Sequence, residues 1–189
     1  MSFNMKTNKT KVVNLFKKAR SKSDIKPILQ GINIVENKNK ENWIACTDTF
    51  RLHAMKYILI QGTTQMPFGT YNLDTLELID EIYPNYENIF HREKEVFDDT
   101  PHKLKEHLES QGIKDLKQKT IMIFDHTVAK EYAMDAINFL CEVNKLYNGT
   151  FDNVKVYKSK DNNYKPLVIC LYAELTLMAY AMVMPRNES

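Results

Sequence analysis

Glycine is scarce, with five among 189 residues. A loop that cradles phosphate needs several glycines close together, so nucleotide binding of that kind is excluded. Cysteine is scarcer still: Cys46, Cys141 and Cys170 fit neither a CxxC pair nor a metal-site spacing, and a reducing, cytoplasmic location is expected. No apolar run approaches the roughly 20 residues of a membrane helix, and residues 1–6 lack the apolar core of a secretory signal, so no membrane partner is expected. His53, His91, His102, His107 and His126 never pair at i, i+4 or as HxH, which argues against a metal site. The serines lie in polar or terminal contexts without a nucleophile elbow, and the adjacent acids Asp80-Glu81 and Asp98-Asp99 point apart. No catalytic set emerges, and the reading is of a non-enzyme without a cofactor.

What is present is a globular composition, 43% hydrophobic and 11% aromatic, long enough for one domain or two small ones. The charge is unevenly placed. Net charge is only +2, yet residues 1–23 hold seven Lys or Arg and no acid, whereas residues 74–109 hold eleven acids against four bases. Such a basic segment either tracks a phosphate backbone or solubilises the chain.

Val12, Val13, Phe16 and Ala19 recur at helical spacing, predicting a helix over 8–22 with Lys11, Lys17, Lys18 and Lys22 on its other faces. β-branched and aromatic content predicts strands over 28–35 and 43–60, joined by the polar turn 36–40. Residues 71–82 overlay 132–143, with Asp74 and Asp135 in N-cap places and Glu77 completing a capping box, so both copies are predicted to run from strand into helix. Each copy is preceded by another strand, over 52–60 and 120–124. Two related half-structures would explain this, as would chance similarity of two amphipathic helices. Thr100-Pro101 with Leu104, Leu108 and Gly112 predicts a capped helix. Residues 93–99 read as an unstructured acidic link, with a domain break between 90 and 99. Gly149 offers a helix stop, and strands over 154–157, 167–173 and 175–184 form a final meander.

Four motifs then occur in order: Lys26-Pro27-Ile28-Leu29-Gln30-Gly31, Ala45-Cys46-Thr47-Asp48-Thr49-Phe50-Arg51-Leu52, Tyr83-Pro84-Asn85-Tyr86, and Val183-Met184-Pro185. This order resembles the bacterial DNA polymerase III beta sliding clamp. The resemblance implies an α+β, DNA-clamp-like fold with antiparallel sheets, helices on one face and two abbreviated related domains: 1–92 resembling the middle clamp domain, and 93–189 the C-terminal one. It implies a peptide-binding pocket made by Leu29, Thr47, Thr49, Phe50, Arg51, Leu52, Val183, Met184 and Pro185, with Arg51 anchoring the peptide's backbone or carboxylates. Partners would be replication proteins carrying clamp-binding peptides, such as a polymerase or a loader. Duplex DNA would meet Lys17, Lys18, Arg20, Lys22 and Lys26 without sequence preference.

The sequence departs from the pattern in three places. Asn88-Ile89-Phe90-His91 replaces the proline that follows Y-P-x-Y, Arg186-Asn187-Glu188-Ser189 is a polar tail, and the length suits two domains where the family has three. Homo-oligomerisation into a six-domain ring would take three subunits. The alternative is an adaptor or decoy that binds clamp partners without encircling DNA, and a DNA enzyme such as a nuclease is a third, weaker option.

Overall fold

The computed structural model describes residues 12–22, 26–57, 66–112, 119–149, 151–160 and 164–186. Its strands are β1 (Gly31–Glu36), β2 (Asn42–Thr47), β3 (Arg51–Lys56), β4 (Gly69–Asn72), β5 (Leu78–Ile79), β6 (Lys94–Asp99), β7 (Thr120–Ile123), β8 (His126–Ala129), β9 (Asn153–Lys158), β10 (Leu167–Ala173) and β11 (Thr176–Val183). The helices are α1 over 12–16, α2 (Pro101–Ser110) and α3 (Lys130–Leu146).

Nine strands form one antiparallel sheet in the order β5-β4-β1-β2-β3-β11-β10-β9-β6, and β7 with β8 makes a separate hairpin. The first five strands fill one half of the sheet and the last four the other, meeting where β3 pairs with β11. Three successive hairpin strands, β9 to β11, make the expected meander. β10 reads as an unbroken apolar run because both of its faces are covered. Leu167, Ile169 and Leu171 pack with the helices, whereas Val168, Cys170 and Tyr172 pack on the far side with Trp43, Tyr83 and Tyr180. All three helices therefore lie on one face, through Val13 and Phe16, Leu104 and Leu108, and the Ala133 to Val143 stripe. The architecture is the α+β class expected.

α2 matches its signals: the Thr100 hydroxyl accepts from the Lys103 N–H at 3.3 Å, Pro101 opens the helix and Gly112 follows with φ of 82°. The β7–β8 hairpin turns on Phe124 and Asp125, both with left-handed φ. Phenylalanine is a poor choice there, and packing holds it, with its ring stacked on His107 at 4.7 Å and near Phe97 at 5.9 Å.

Several local expectations are corrected. The expected strand over 28–35 begins as a 3₁₀ turn at Pro27–Gln30, because a proline has no N–H for a ladder. The run expected over 43–60 is two strands, ending at Lys56 and broken by a turn at residues 48–50, with its last residues, 58–60, lying outside the described ones. The helix expected over 8–22 is helical over 12–16 and passes into turns by Lys17, its residues before 12 lying outside the described ones. The acidic link 93–99 is the edge strand β6, its carboxylates neutralised by Lys155, which reaches Glu95 at 3.0 Å and Asp98 at 2.7 Å, and by Lys165, which reaches Glu93 at 2.7 Å.

The larger correction concerns the repeat. Residues 71–82 form no helix: β4 turns directly into β5. The Asn72 side-chain oxygen accepts from the N–H groups of Asp74 and Thr75, at 2.8 and 3.1 Å, and closes a turn where a helix would have started. The matching residue of the second copy is Ala133, which has nothing to compete with the backbone. There α3 runs from Lys130, so Asp135 is its sixth residue and not its N-cap.

Candidate peptide site and basic helix face

The segment from Thr47 to Arg51 is a turn built by side chains. The Asp48 carboxylate accepts from the N–H groups of Phe50 and Arg51, both at 3.0 Å. The Thr47 hydroxyl donates to the Arg51 carbonyl at 2.6 Å and accepts from the Thr49 N–H at 3.0 Å. Thr49 holds a left-handed φ of 79° between them. The Tyr83 hydroxyl accepts from the Thr47 N–H at 2.9 Å, so the Y-P-x-Y segment is joined to this turn.

The chain's last strand meets the turn in register, pairing Arg51 with Val183 and Leu52 with Met182. Beyond the strand, the Met184 N–H donates to the Phe50 carbonyl at 2.9 Å, Pro185 bridges Val128 of β8, and the Arg186 N–H donates to Thr127 at 2.8 Å. The T-D-x-x-R-L and V-M-P motifs thus occupy one corner of the sheet, although more than a hundred residues separate them.

Sharing a corner is not sharing a pocket. Leu29 and Leu52 are buried with Met182 on the sheet face away from the helices, while Val183 is buried in the helix-side core. Thr47 is also buried. The accessible members are Thr49, Met184, Pro185 and Phe50, the last 58% exposed. Arg51, expected to anchor a peptide's backbone or carboxylates, turns inward. Its Nε donates to Asp48 at 3.1 Å, an Nη donates to the carboxylate of Asp135 on α3, and its guanidinium lies 4.5 Å over the Tyr132 ring. Phe50 stacks on the same ring, with centroids 6.2 Å apart. Burial pushes the Asp135 carboxyl above its usual range, against the pull of Arg51 and Lys18. Met182, Tyr132 and Asp135 were missed by sequence reasoning, although a carboxylate inside an apolar helix stripe was a visible signal for the last.

The basic residues fare unevenly. Lys17, Lys18, Lys22 and Lys26 are exposed, whereas Arg20 is paired with Asp74. Lys18 borders a cleft of about 460 Å³ between α1 and α3, which Asn14, Asp135, Asn138 and Glu142 also line. α3 carries Lys130 and Lys145, and Lys145 is paired with Glu142 at 2.6 Å. Among the described residues no three His, Cys, Asp or Glu side chains gather as a metal site. No helix among them is long and apolar enough to cross a membrane.

No protein-family model matches the sequence, and no curated protein matches it. Solved structures do. The DNA polymerase III beta chain of Streptococcus pneumoniae TIGR4 superposes with a TM-score of 0.67 at 13% identity, over 98% of this chain and 64% of that one. The C. crescentus beta sliding clamp, solved with PEG bound to a putative beta-motif tethering region, gives 0.64 at 10% identity over 94% and 63%. The Helicobacter pylori beta clamp bound to a DNA ligase peptide gives 0.58 at 14% identity over 95% and 64%. The chain spans less than two thirds of the length of each of these structures. Identities this low speak for architecture alone, and on that evidence the protein has the fold of a bacterial beta sliding clamp, carried on a shorter chain.

Proposed function

We propose that this protein is a sliding-clamp-like replication accessory factor that binds short linear peptides of replication proteins at the corner formed by Phe50, Met184 and Pro185. The supporting observation is the hydrogen bond from Met184 to Phe50, which joins the two motifs and leaves an apolar rim exposed beside Thr49. An apolar rim of Met, Pro and an aromatic ring suits a peptide with Leu and Phe side chains. The H. pylori clamp solved with a DNA ligase peptide supports a ligand of this class. In the same reading residues 1–92 and 93–189 are two clamp-like domains, consistent with the division of strands about the β3–β11 seam.

Titration of a fluorescent clamp-motif peptide tests the proposal. Wild-type protein binds it, and Phe50→Ala and Met184→Ala each weaken binding by about 1–2 kcal/mol, the scale of a lost apolar anchor. A wild-type protein that ignores the peptide removes the reading.

A second reading, an adaptor that does not form a ring, is favoured by the sheet edges. The free edge at β5 carries Glu77, Asp80 and Glu81, which make no ion pair among the described residues, and the free edge at β6 adds Asp99 beside the Glu95 and Asp98 that Lys155 already holds. Head-to-tail closure would bring these edges together. Light scattering decides between the two: a trimer of roughly 66 kDa, three times the 22.1 kDa chain, supports the ring, and a monomer supports the adaptor.

A further inference from the structure

We infer that Asp135 is the positioning residue of the peptide rim: from α3 it holds Arg51 over Tyr132, and the Phe50 turn takes its place from that pair. The functional half of this inference rests on the peptide-binding reading. The contacts form a continuous chain. Asp135 pairs with one arm of the Arg51 guanidinium while Asp48 takes the Nε arm, so the guanidinium is clamped from helix and turn together. Its flat face covers Tyr132, and Phe50 stacks on that same ring. Phe50 itself is mostly exposed and has little burial of its own to fix it. Thr49 beside it holds a left-handed φ without being glycine, a conformation that persists only where the surroundings impose it.

A carboxylate in the apolar stripe of a helix is costly, and its partner is what retains it. Without Asp135, Arg51 keeps one carboxylate of two and its guanidinium is free to swing off Tyr132. The charged groups acting on Asp135 are Arg51 and Asp48 across the interface, Lys18 from the turn after α1, and Glu131 on α3 itself. Burial raises its carboxyl above the usual range, against the pull of Arg51, so acid weakens this pair.

The test uses full-length protein labelled with fluorinated phenylalanine, the Phe50 signal being assigned from Phe50→Leu. Asp135→Asn is expected to shift the Phe50 fluorine resonance toward its unfolded position while the other phenylalanine signals stay. The clamp-motif peptide is expected to bind about tenfold more weakly, the scale of one lost charge-assisted hydrogen bond. The Phe50 signal is expected to move less with acid in Asp135→Asn than in wild-type protein. If Asp135→Asn fails to fold, Asp135→Glu, which keeps the charge on a longer arm, decides by moving the Phe50 signal or leaving it in place. A Phe50 signal indifferent to both the substitution and pH overturns the positioning role, and a shifted signal with unchanged peptide affinity overturns its functional half. Wild-type protein that binds no peptide overturns the peptide reading, and the fluorine signal still judges the positioning.

Discussion

His53 lies on β3 with both ring nitrogens buried and without hydrogen-bond partners among the described residues, its ring stacked on Phe139 of α3 at 4.5 Å. Burial, reinforced by Arg51, drives its pKa down to about 3, so the folded state holds it neutral. The unfolded chain takes up the proton near pH 6.5, and stability is therefore lost as pH falls from about 6.5 toward 3, by up to about 1.4 kcal/mol per pH unit. Denaturant melts of wild type and His53→Phe at pH 7.5 and 5 check this: the substitution is expected to flatten the loss, and to stabilise at neutral pH by about 1 kcal/mol, since it removes an unsatisfied polar ring. A second residue-scale expectation separates core from rim. Leu52→Ala empties a buried site and is expected to lower the free energy of unfolding by about 2–5 kcal/mol. Met184→Ala, at a half-buried position, is expected to leave it nearly unchanged while weakening the peptide. Chemical denaturation beside the binding titration distinguishes them.

At the scale of elements, local chemistry decided more than repetition did. Thr100, Pro101 and Gly112 made α2 legible because cap residues act on the backbone directly. The resemblance of 71–82 to 132–143 misled because a single pair of residues, Asn72 and Ala133, sends the two backbones different ways. Asn72→Ala is expected to cost about 1 kcal/mol in thermal melts by unbinding two amides of the β4–β5 turn. The gain of a helical circular-dichroism signal would contradict that account. The site was legible to a similar extent. Two motifs at strand ends placed the corner correctly, since register forces Arg51 beside Val183. The face each side chain takes was not legible, because shifting a strand's start by one residue exchanges its faces. The pairing of Arg51 was not legible for a related reason: its partner Asp135 is distant in sequence and becomes visible only once α3 is laid on β3.

For the whole molecule, charge is the property that governs partners. With Arg20 held by Asp74, the exposed bases of the first segment among the described residues are Lys17, Lys18, Lys22 and Lys26, and α3 answers with a mixed surface. DNA contact is accordingly expected to be weak and dominated by phosphate. About three contacts give a loss of affinity of roughly 40-fold between 50 and 200 mM salt, with no dependence on DNA sequence. Replacing Lys17, Lys18 and Lys22 together by Gln should abolish that slope in anisotropy titrations. A salt-insensitive or sequence-selective affinity would sink the expectation.

The seam at the middle of the sheet has a consequence for how the protein is made. β3 pairs with β2 on one side but finds its second neighbour only in β11, among the last residues described, so the early half of the sheet presents a bare apolar rim while the rest of the chain is still being synthesised. Closing so long a loop is slow. Until it closes, the nascent protein is at its most prone to stick to other chains, and any premature stop ahead of Thr176 would leave it there for good.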